Sequence, residues 1–404
     1  MSDSGKRQFT IALKALIGSW QGLTVVLIVG IAARAYVSTL GQNFDVESYR
    51  IVVSIIDQGE NVYAQTNRYN YAPLWCNLIY GIYHLGIFLF GKNGPSSFHS
   101  LVMVFLTIID ISIFVVLLKQ FSLVAAAFFF LNPLSVMVTG YCCQFDNFAL
   151  LLGMLSVLIL RNDGETASWR KRLASLAVLS LSLITKHLLF AFPLWLAVKQ
   201  KKYSVKLVFL LVPIVLFFVS FIPYWNAGRE GIINNVFLYN SFPNRCFYRL
   251  FVPWILQMVF SAKAVWFIAL TISALYFRNK KPMESLLLYS GILVATTPSM
   301  ANQYLAIVVP FISVFPNIFF FLYTIAGGWY LMISLGNDLH IEYLQRLSFF
   351  DGVVYYYALL VTFLCLGIVF QVWRRPCLML YNRMCRKIES LIGFLRKRIV
   401  SEVK

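Results

Sequence analysis

Residues 18–40 of the chain read GSWQGLTVVLIVGIAARAYVSTL, an apolar run that contains one charged residue, Arg34. A helix needs roughly 20 apolar residues to cross a bilayer, and the apolar part of a cleaved signal peptide is shorter than this run. We therefore interpret residues 18–40 as a retained membrane span. Similar runs recur as far as Phe370, and the 404 residues are 60% apolar and 12% charged. This composition excludes a soluble protein and predicts an all-α integral membrane protein.

The apolar runs predict a polytopic helical bundle of about 12 spans. Lys and Arg are retained on the cytoplasmic side of short loops, and their positions place both termini inside. A further span at 75–91 would move the basic cluster at 161–172 to the outside. We therefore assign residues 75–91 to an interfacial or re-entrant helix. The predicted spans lie near 18–40, 98–118, 121–138, 148–160, 173–185, 187–198, 206–224, 247–276, 285–298, 303–316, 318–335 and 352–373.

The net charge of +18 would suit a nucleic-acid partner, but the basic residues are spread over short cytoplasmic loops and a C-terminal tail. We interpret this charge as a topology signal that also contacts anionic membrane lipids, and we expect no nucleic-acid partner. Apolar residues recur at helical spacing among the basic residues of the tail, as in a helix that lies on a membrane surface. The predicted organisation is a polytopic domain over 1–373 and a basic amphipathic cytoplasmic tail over 374–404.

Cofactor motifs are missing from the sequence. There is no Gly-rich phosphate loop, no Walker motif and no Gly-x-Ser-x-Gly elbow, which argues against an ATP-driven pump or a serine hydrolase. The seven cysteines have neither Cys-x-x-Cys spacing nor metal-ligand spacing with histidine. A disulfide from Cys142 or Cys143 to Cys76 or Cys246 is a less favoured alternative to free thiols. We expect no cofactor, and the energy for any reaction must come with the substrate.

The predicted outer loop at 41–97 is the longest, and it begins with an acidic cluster. Residues 43–50 read NFDVESYR and place Asp45 and Glu47 just after the first span. Carboxylates held at a membrane surface suit an enzyme that acts on lipid-linked substrates. Further along, Arg68, Tyr69 and Tyr71 stand among amides, a composition suited to the hydroxyls and faces of sugars. The alternative is an ordinary amphipathic loop. In either case we expect the loop at 41–97 to carry interfacial helices.

Three other polar clusters are predicted to reach the same side of the membrane. They are Gln144, Asp146 and Asn147; Lys186 and His187; and Gln303 and Tyr304. The alternative for each cluster is a hydrogen-bonded helix end. Lys186 differs because an ammonium inside the membrane requires an anionic partner, and a lipid phosphate would serve.

Arginines add two further possibilities. Arg245 and Arg249 flank a later outer loop and could hold a phosphate through bidentate hydrogen bonds, or they could bind lipid headgroups instead. Arg34 and Asp110 both lie within predicted spans, and we expect them to neutralise one another in the bundle rather than to catalyse.

Together these segments resemble the polyprenyl-phosphate-sugar-dependent glycosyltransferases with the multi-spanning GT-C fold, in particular the bacterial polyprenyl-phosphomannose-dependent mannosyltransferases. Tyr141, Cys142 and Cys143 stand where the glucosyl branch has a His-rich stretch, which disfavours that branch. The resemblance lies in the acidic segment at 44–47, the Arg-Tyr-x-Tyr-x-Pro segment at 68–73, Gln-Phe-Asp-Asn at 144–147, the stretch from Lys186 to Pro193, and the stretch from Gln303 to Pro310.

The resemblance implies a role for each candidate residue. Asp45 becomes the leading catalytic base, with its division of labour with Glu47 left open. The donor phosphate would be held by Lys186, Arg245, Arg249 and Arg68. The sugar and the acceptor would be contacted by Tyr69, Tyr71, Gln144, Asp146, Asn147, His187, Gln303 and Tyr304.

The implied activity is transfer of a hexose, mannose above all, from a polyprenyl-phosphate sugar to a lipid-linked glycan or glycolipid acceptor, with inversion. This scheme requires no metal, although the pair of carboxylates could bind a divalent cation. The alternative is a flippase for lipid-linked sugars or polar lipids, which would place polar groups in both halves of the bundle and show repeat symmetry. The polar groups gather on the outer face, which favours the enzyme. A bacterial plasma membrane is favoured over the endoplasmic reticulum.

Overall fold

The computed structural model describes residues 20–160, 167–239, 262–297, 301–336 and 354–373. Every regular element in these ranges is helical, which confirms the predicted all-α class. Helices are expected here because an apolar segment in a bilayer must satisfy its backbone hydrogen bonds internally. The predicted basic tail at 374–404 lies outside the described residues, as do Arg245 and Arg249.

The first span and the outer loop form four helices. Helix α1 covers Trp20–Thr39, α2 covers Phe44–Asp57, α3 covers Val62–Gln65 and α4 covers Pro73–Phe90. Asparagine caps start the two loop helices: the side-chain oxygen of Asn43 accepts from the Asp45 backbone N–H at 2.7 Å, and that of Asn61 accepts from Tyr63 at 3.0 Å. The predicted loop at 41–97 therefore does carry helices.

Helix α4 is longer and more apolar than an interfacial helix needs to be. By length and composition, Pro73–Asn93 could cross a bilayer, whereas the sequence predicted an interfacial or re-entrant helix there. It runs antiparallel to the next helix, α5 (Gly94–Gln120). The ring centroids of Trp75 and Phe105 are 6.4 Å apart, and those of Tyr83 and Phe98 are 5.5 Å apart, so a later residue of α4 meets an earlier residue of α5. These contacts lie on the N-terminal half of α5.

A break replaces the straight span predicted at 121–138. Helices α6 (Leu123–Phe130) and α7 (Pro133–Gly140) meet at an angle of 48°. Pro133 has no backbone N–H to continue α6, and the side chain of Asn132 accepts from the Leu134 N–H at 3.0 Å. The sequence therefore ends one helix and starts another inside the apolar run.

Two helices follow, α8 (Asp146–Leu160) and α9 (Trp169–Thr185), and a second break lies at the end of α9. The span predicted at 187–198 is instead a 3₁₀ turn at His187–Leu189 and the six-residue helix α10 (Phe192–Ala197). The prediction of one continuous helix there was wrong, because the chain forms two short pieces instead. Lys186 precedes the turn in an extended conformation, with φ −154° and ψ 126°.

The next segment is helical from Tyr203 to Phe237, longer than the span predicted at 206–224. It consists of α11 (Tyr203–Val219), a 3₁₀ turn at Ile222–Tyr224, α12 (Trp225–Gly231) and a π-helix at Ile232–Phe237. Helix α12 packs directly on α3. The amide of Asn61 donates to the Tyr224 carbonyl at 2.8 Å, so this segment holds the outer loop.

Gly231 provides a test of that contact. A Cβ at this position would lie 1.7 Å from the Tyr63 backbone oxygen, so α3 and α12 would have to separate. We expect Gly231→Ala to lower the free energy of unfolding by about 1–3 kcal/mol, as overpacking does elsewhere. Thermal unfolding of the detergent-purified protein measures this.

The control for that variant is Gly81→Ala in α4, where a Cβ would meet no atom within 4 Å. It should be neutral or stabilising by about 0.5–1 kcal/mol, because glycine is the poorer helix former. Equal destabilisation by the two variants would contradict the proposed contact.

Six helices complete the described chain. The ends of two basic segments meet here, since the Lys199 ammonium donates to the carbonyls of Arg278 at 2.9 Å and Lys280 at 2.6 Å. Both segments were predicted to be cytoplasmic, and the contact places them at the same end of the bundle. The helices are α13 (Ala262–Tyr276), α14 (Pro282–Thr296), α15 (Tyr304–Ile307), α16 (Val309–Val314), α17 (Ile318–Gly336) and α18 (Val354–Trp373).

In the described ranges, five helices are long and apolar enough to span a membrane, or six if the bent pair of α6 and α7 counts as one span. Shorter apolar helices surround them, including α8, α14 and α17. The chain is a multi-pass membrane protein. Cys76 and Cys143 are buried free thiols.

A buried ion pair links the first span to the core. Arg34 and Asp110 are both fully buried, and Arg34 Nε donates to Asp110 Oδ2 at 2.9 Å. Thr139 and Asn147 donate to the same carboxylate at 2.7 and 2.6 Å, and the Arg34 guanidinium also reaches Ser135 at 3.0 Å. The expectation that Arg34 and Asp110 neutralise one another is confirmed.

Candidate active site

Asp45 is the second residue of α2, and two amides hold its carboxylate. Asn43 Nδ2 donates to Oδ2 at 2.9 Å, and Gln144 Nε2 donates to the same oxygen at 2.5 Å. Oδ1 accepts no hydrogen bond from the described residues. Asp45 is half-buried, so it combines one held oxygen with one available oxygen.

Gln144 reaches Asp45 from the junction between α7 and α8, 99 residues further along the chain. The residue before it, Cys143, has a φ of +49°, which is uncommon for a residue with a side chain. The Tyr49 hydroxyl of α2 donates to the Cys143 carbonyl at 3.3 Å, and the Gln144 N–H donates to the Val138 carbonyl at 3.2 Å. The turn that carries Gln144 is therefore tied to both α2 and α7.

Lys186 meets Asp146 at the same place. Its ammonium lies 2.8 Å from Asp146 Oδ2, and both side chains are more than nine-tenths buried. Aromatic faces of Tyr71 and Phe145 lie 4.9 and 4.8 Å from the ammonium. A carboxylate at the start of α8 is also favoured by the helix dipole. Lys186 was predicted to need an anionic partner, and within the protein that partner is Asp146.

The charged groups of the site act on one another. Burial raises the pKa of the Asp45 carboxyl above its ordinary value of 3.8, although the Asn43 hydrogen bond and the charge of Lys186 oppose this. Asp146 and Arg68 lie close enough to contribute as well. Arg68 stacks on Phe44 at 3.6 Å and donates to its carbonyl at 3.3 Å, which fixes the guanidinium beside the start of α2. Two carboxylates and two basic groups thus share this region.

Two predicted site residues make hydrogen bonds within the fold. The Tyr69 hydroxyl is buried, donates to the Ala72 carbonyl at 2.7 Å and accepts from the Cys76 N–H at 2.9 Å. The Asn147 amide donates to Asp110, in the ion-pair network described above. Their assignment to sugar or acceptor binding stays a prediction.

Glu47 is also separated from the cluster. It is exposed and lies 3.2 Å from Arg50 in an ion pair on the helix surface. Because residues two apart on a helix point about 200° apart, Asp45 and Glu47 face different surroundings. The structure places Asp45, and not Glu47, beside Gln144.

Of the remaining predicted residues, Tyr71 and Tyr304 lie near the charged groups of the site. Tyr71 covers Lys186, and Tyr304 lies within electrostatic range of Asp146. His187 follows Lys186 and lies 6.3 Å from the ring of Phe217. Gln303 is partly buried at the start of α15.

Two residues of the site, Asn43 and Phe145, were not predicted as parts of it. An available signal for Asn43 was its position as an N-cap before an amphipathic helix, which places its amide next to the second helical residue. Phe145 stacks on Trp75, with ring centroids 4.0 Å apart and an interplanar angle of 11°, so it joins α4 to the turn that carries Gln144. No group of three or more His, Cys, Asp or Glu side chains suited to a metal occurs among the described residues.

Comparisons with known proteins gave few matches. A scan against models of protein families found none, and a search of curated proteins found none. Among solved structures, the crystal structure of ArnT from Cupriavidus metallidurans in the apo state matches with a TM-score of 0.46 at 15% identity, covering 86% of this chain and 75% of that one. The structure of the same protein bound to undecaprenyl phosphate matches with a TM-score of 0.44 at 15% identity, covering 89% and 79%. Likeness at this level establishes no shared activity.

Proposed function

We propose that this protein is a membrane glycosyltransferase that transfers a hexose from a polyprenyl-phosphate sugar to a lipid-linked glycan or glycolipid. The observation that carries the proposal is the Asp45 carboxylate. It lies at the start of the first outer loop, is held through one oxygen and available at the other, and has a buried lysine beside it. Mannose as the sugar, and the outer face of a bacterial plasma membrane as the location, rest on the family resemblance and the charge pattern.

The reaction would be a single displacement. The acceptor hydroxyl attacks the anomeric carbon and gives its proton to Asp45. The bond from that carbon to the phosphate oxygen breaks, and the polyprenyl phosphate leaves with the electron pair. A positioned carboxylate base contributes about 10²–10⁴ in rate. Attack from the face opposite the phosphate inverts the anomeric centre, so retention in the product would contradict this mechanism.

The leaving phosphate requires positive charge, and the described residues supply only part of it. Lys186 and Arg68 are the candidates, but Asp146 already neutralises Lys186 at 2.8 Å. A phosphate would have to draw the ammonium away from Asp146 or bring further cations with it. We therefore keep Arg245 and Arg249 in the proposal as additional phosphate ligands, because arginine binds phosphate through two parallel hydrogen bonds.

The sugar and the acceptor would contact the rim of the cluster. Tyr71 and Tyr304 offer aromatic faces and hydroxyls near Asp146, and His187 and Gln303 directly adjoin Lys186 and Tyr304 in the chain. Asp146 Oδ1 is buried and accepts no hydrogen bond from the described residues, so it suits a hydroxyl donor. No step in this scheme uses a metal ion.

The pH dependence of turnover tests the role of Asp45. Its carboxylate must be ionised to accept a proton, and burial raises its pKa above 3.8. Activity should therefore be complete above the raised pKa and be lost as the pH falls through it. We expect the acidic limb of kcat/KM to have its midpoint above 3.8. Glu60→Gln removes an exposed carboxyl group and is the control. A midpoint at or below 3.8, in both the unaltered protein and Glu60→Gln, would contradict this role.

The first experiment incubates the purified protein with radiolabelled polyprenyl-phosphate sugars and a membrane-lipid acceptor. Turnover of one donor would support the proposal and identify the sugar. Failure to turn over any donor, together with transbilayer movement of a labelled lipid phosphate in proteoliposomes, would favour the flippase and overturn the proposal.

A further inference from the structure

We infer that Gln144 is a positioning residue that, together with Asn43, holds Asp45 Oδ2 and so leaves Oδ1 to accept the proton. This inference rests on the proposed function. It changes the role expected for Gln144 from contact with sugar or acceptor to control of the base. It also names the atom that receives the proton.

The two oxygens of the Asp45 carboxylate differ in the number of hydrogen-bond donors that they face. Both amide groups donate to Oδ2, and no described residue donates to Oδ1. A carboxylate held at one oxygen from two directions cannot rotate freely about its terminal torsion. Its other oxygen then keeps a constant direction, which a general base needs because proton transfer requires an aligned contact of about 2.6–3.2 Å.

The backbone around Gln144 supports a dedicated role. Cys143 adopts a φ of +49°, a conformation that costs free energy in a residue with a side chain and is concentrated at functional sites. The Tyr49 hydroxyl of α2 binds the Cys143 carbonyl at 3.3 Å. The helix that carries Asp45 therefore also holds the turn that carries Gln144. The two partners are positioned against one another by backbone as well as by side chains.

The direction of the Gln144 amide follows from charge. Its Nε2 faces the carboxylate, while its buried Oε1 accepts no hydrogen bond from the described residues. The reverse orientation would place Oε1 against an ionised oxygen. The amide therefore donates to Asp45 Oδ2 while its own oxygen has no partner among the described residues.

The test replaces the amide without changing its size. Gln144→Met should reduce kcat by about 10-fold or more with little change in KM, since one charge-assisted hydrogen bond is worth about that factor. The acidic limb of the pH profile should move upward, because losing a donor destabilises the carboxylate. Gln65→Met makes the same chemical change at an exposed position of α3 and should leave both quantities unchanged.

A second variant guards against misfolding at the turn. Asn43→Ser retains a side-chain oxygen that can cap α2 but removes the Nδ2 donor. It should move the acidic limb in the same direction as Gln144→Met. A change in KM alone, in both variants, would instead support ligand binding by these residues and overturn the positioning role.

An activity-independent measurement separates this inference from the proposed function. Dicyclohexylcarbodiimide adds to protonated carboxyl groups in apolar surroundings, and mass spectrometry locates the adduct. Labelling of Asp45 against pH should have its midpoint at higher pH in both variants than in the unaltered protein. Unchanged midpoints would overturn the inference even if a sugar donor is turned over. If the midpoints shift but no donor is turned over, the positioning of the Asp45 carboxylate by Gln144 and Asn43 would stand, and the proposed glycosyltransferase activity would be rejected.

Discussion

Asp45→Asn is expected to reduce turnover of the sugar donor by about 10²–10⁴, the contribution of a positioned general base. The amide has the size of the carboxylate but cannot take the proton of an acceptor hydroxyl. Its oxygen can still accept from Asn43 and Gln144, so the start of α2 should keep its conformation. We therefore expect donor binding to survive, as measured by retention of a labelled polyprenyl-phosphate sugar, while single-turnover transfer is lost.

Glu47→Gln is the comparison that decides between the two carboxylates. Glu47 is exposed and paired with Arg50 at 3.2 Å, a surface contact worth about 0–1 kcal/mol. Its loss should leave transfer close to that of the unaltered protein. If Glu47→Gln abolished transfer while Asp45→Asn retained it, the base would be Glu47 and the assignment of Asp45 would be wrong.

This pair of residues shows how far the sequence could predict the site. The acidic cluster after the first span predicted the segment in which the structure brings Asp45 together with Gln144. Choosing between Asp45 and Glu47 required the side of α2 that faces the bundle. That depends on Gln144, which is 99 residues away and is not paired with Asp45 by any local pattern.

For Lys186, the sequence predicted the need for a partner but not which residue it would be. Its position inside an apolar region predicted an anionic partner, and a lipid phosphate was the expected one. The partner in the structure is Asp146, 40 residues earlier in the chain. A sequence shows that a buried charge needs compensation, but the identity of the compensating group depends on how α8 and α9 pack.

The helices were predictable where the apolar runs are long, and not where proline interrupts them. The first span and the helices of the outer loop follow from hydropathy and asparagine caps. The pieces at 123–140 and 187–197 were predicted as single spans because hydropathy alone does not register the break that Pro133 or Pro193 produces. Such breaks place Lys186 and Gln144 at helix ends inside the bundle.

The ion pair between Arg34 and Asp110 should have the largest effect on stability. Both side chains are fully buried, and Asp110 also accepts from Thr139 and Asn147. Arg34→Met would leave the carboxylate in an apolar region without its cation. We expect it to lower the free energy of unfolding by about 3–5 kcal/mol, the usual cost of removing one partner of a buried pair. Unfolding in mixed detergent micelles, followed by circular dichroism, measures this.

Arg50→Met makes the same substitution in the exposed pair with Glu47 and should change stability by no more than about 1 kcal/mol. The double variant Arg34→Met/Asp110→Leu removes both charges and should recover part of the loss, since the uncompensated carboxylate is then absent. Recovery should be incomplete because Ser135, Thr139 and Asn147 lose their partners. Asn147 directly follows Asp146 at the start of α8, so Asp110→Leu should also weaken the ion pair between Asp146 and Lys186. If the double variant were no more stable than Arg34→Met alone, the cost would lie in packing around Arg34 rather than in the buried charge of Asp110.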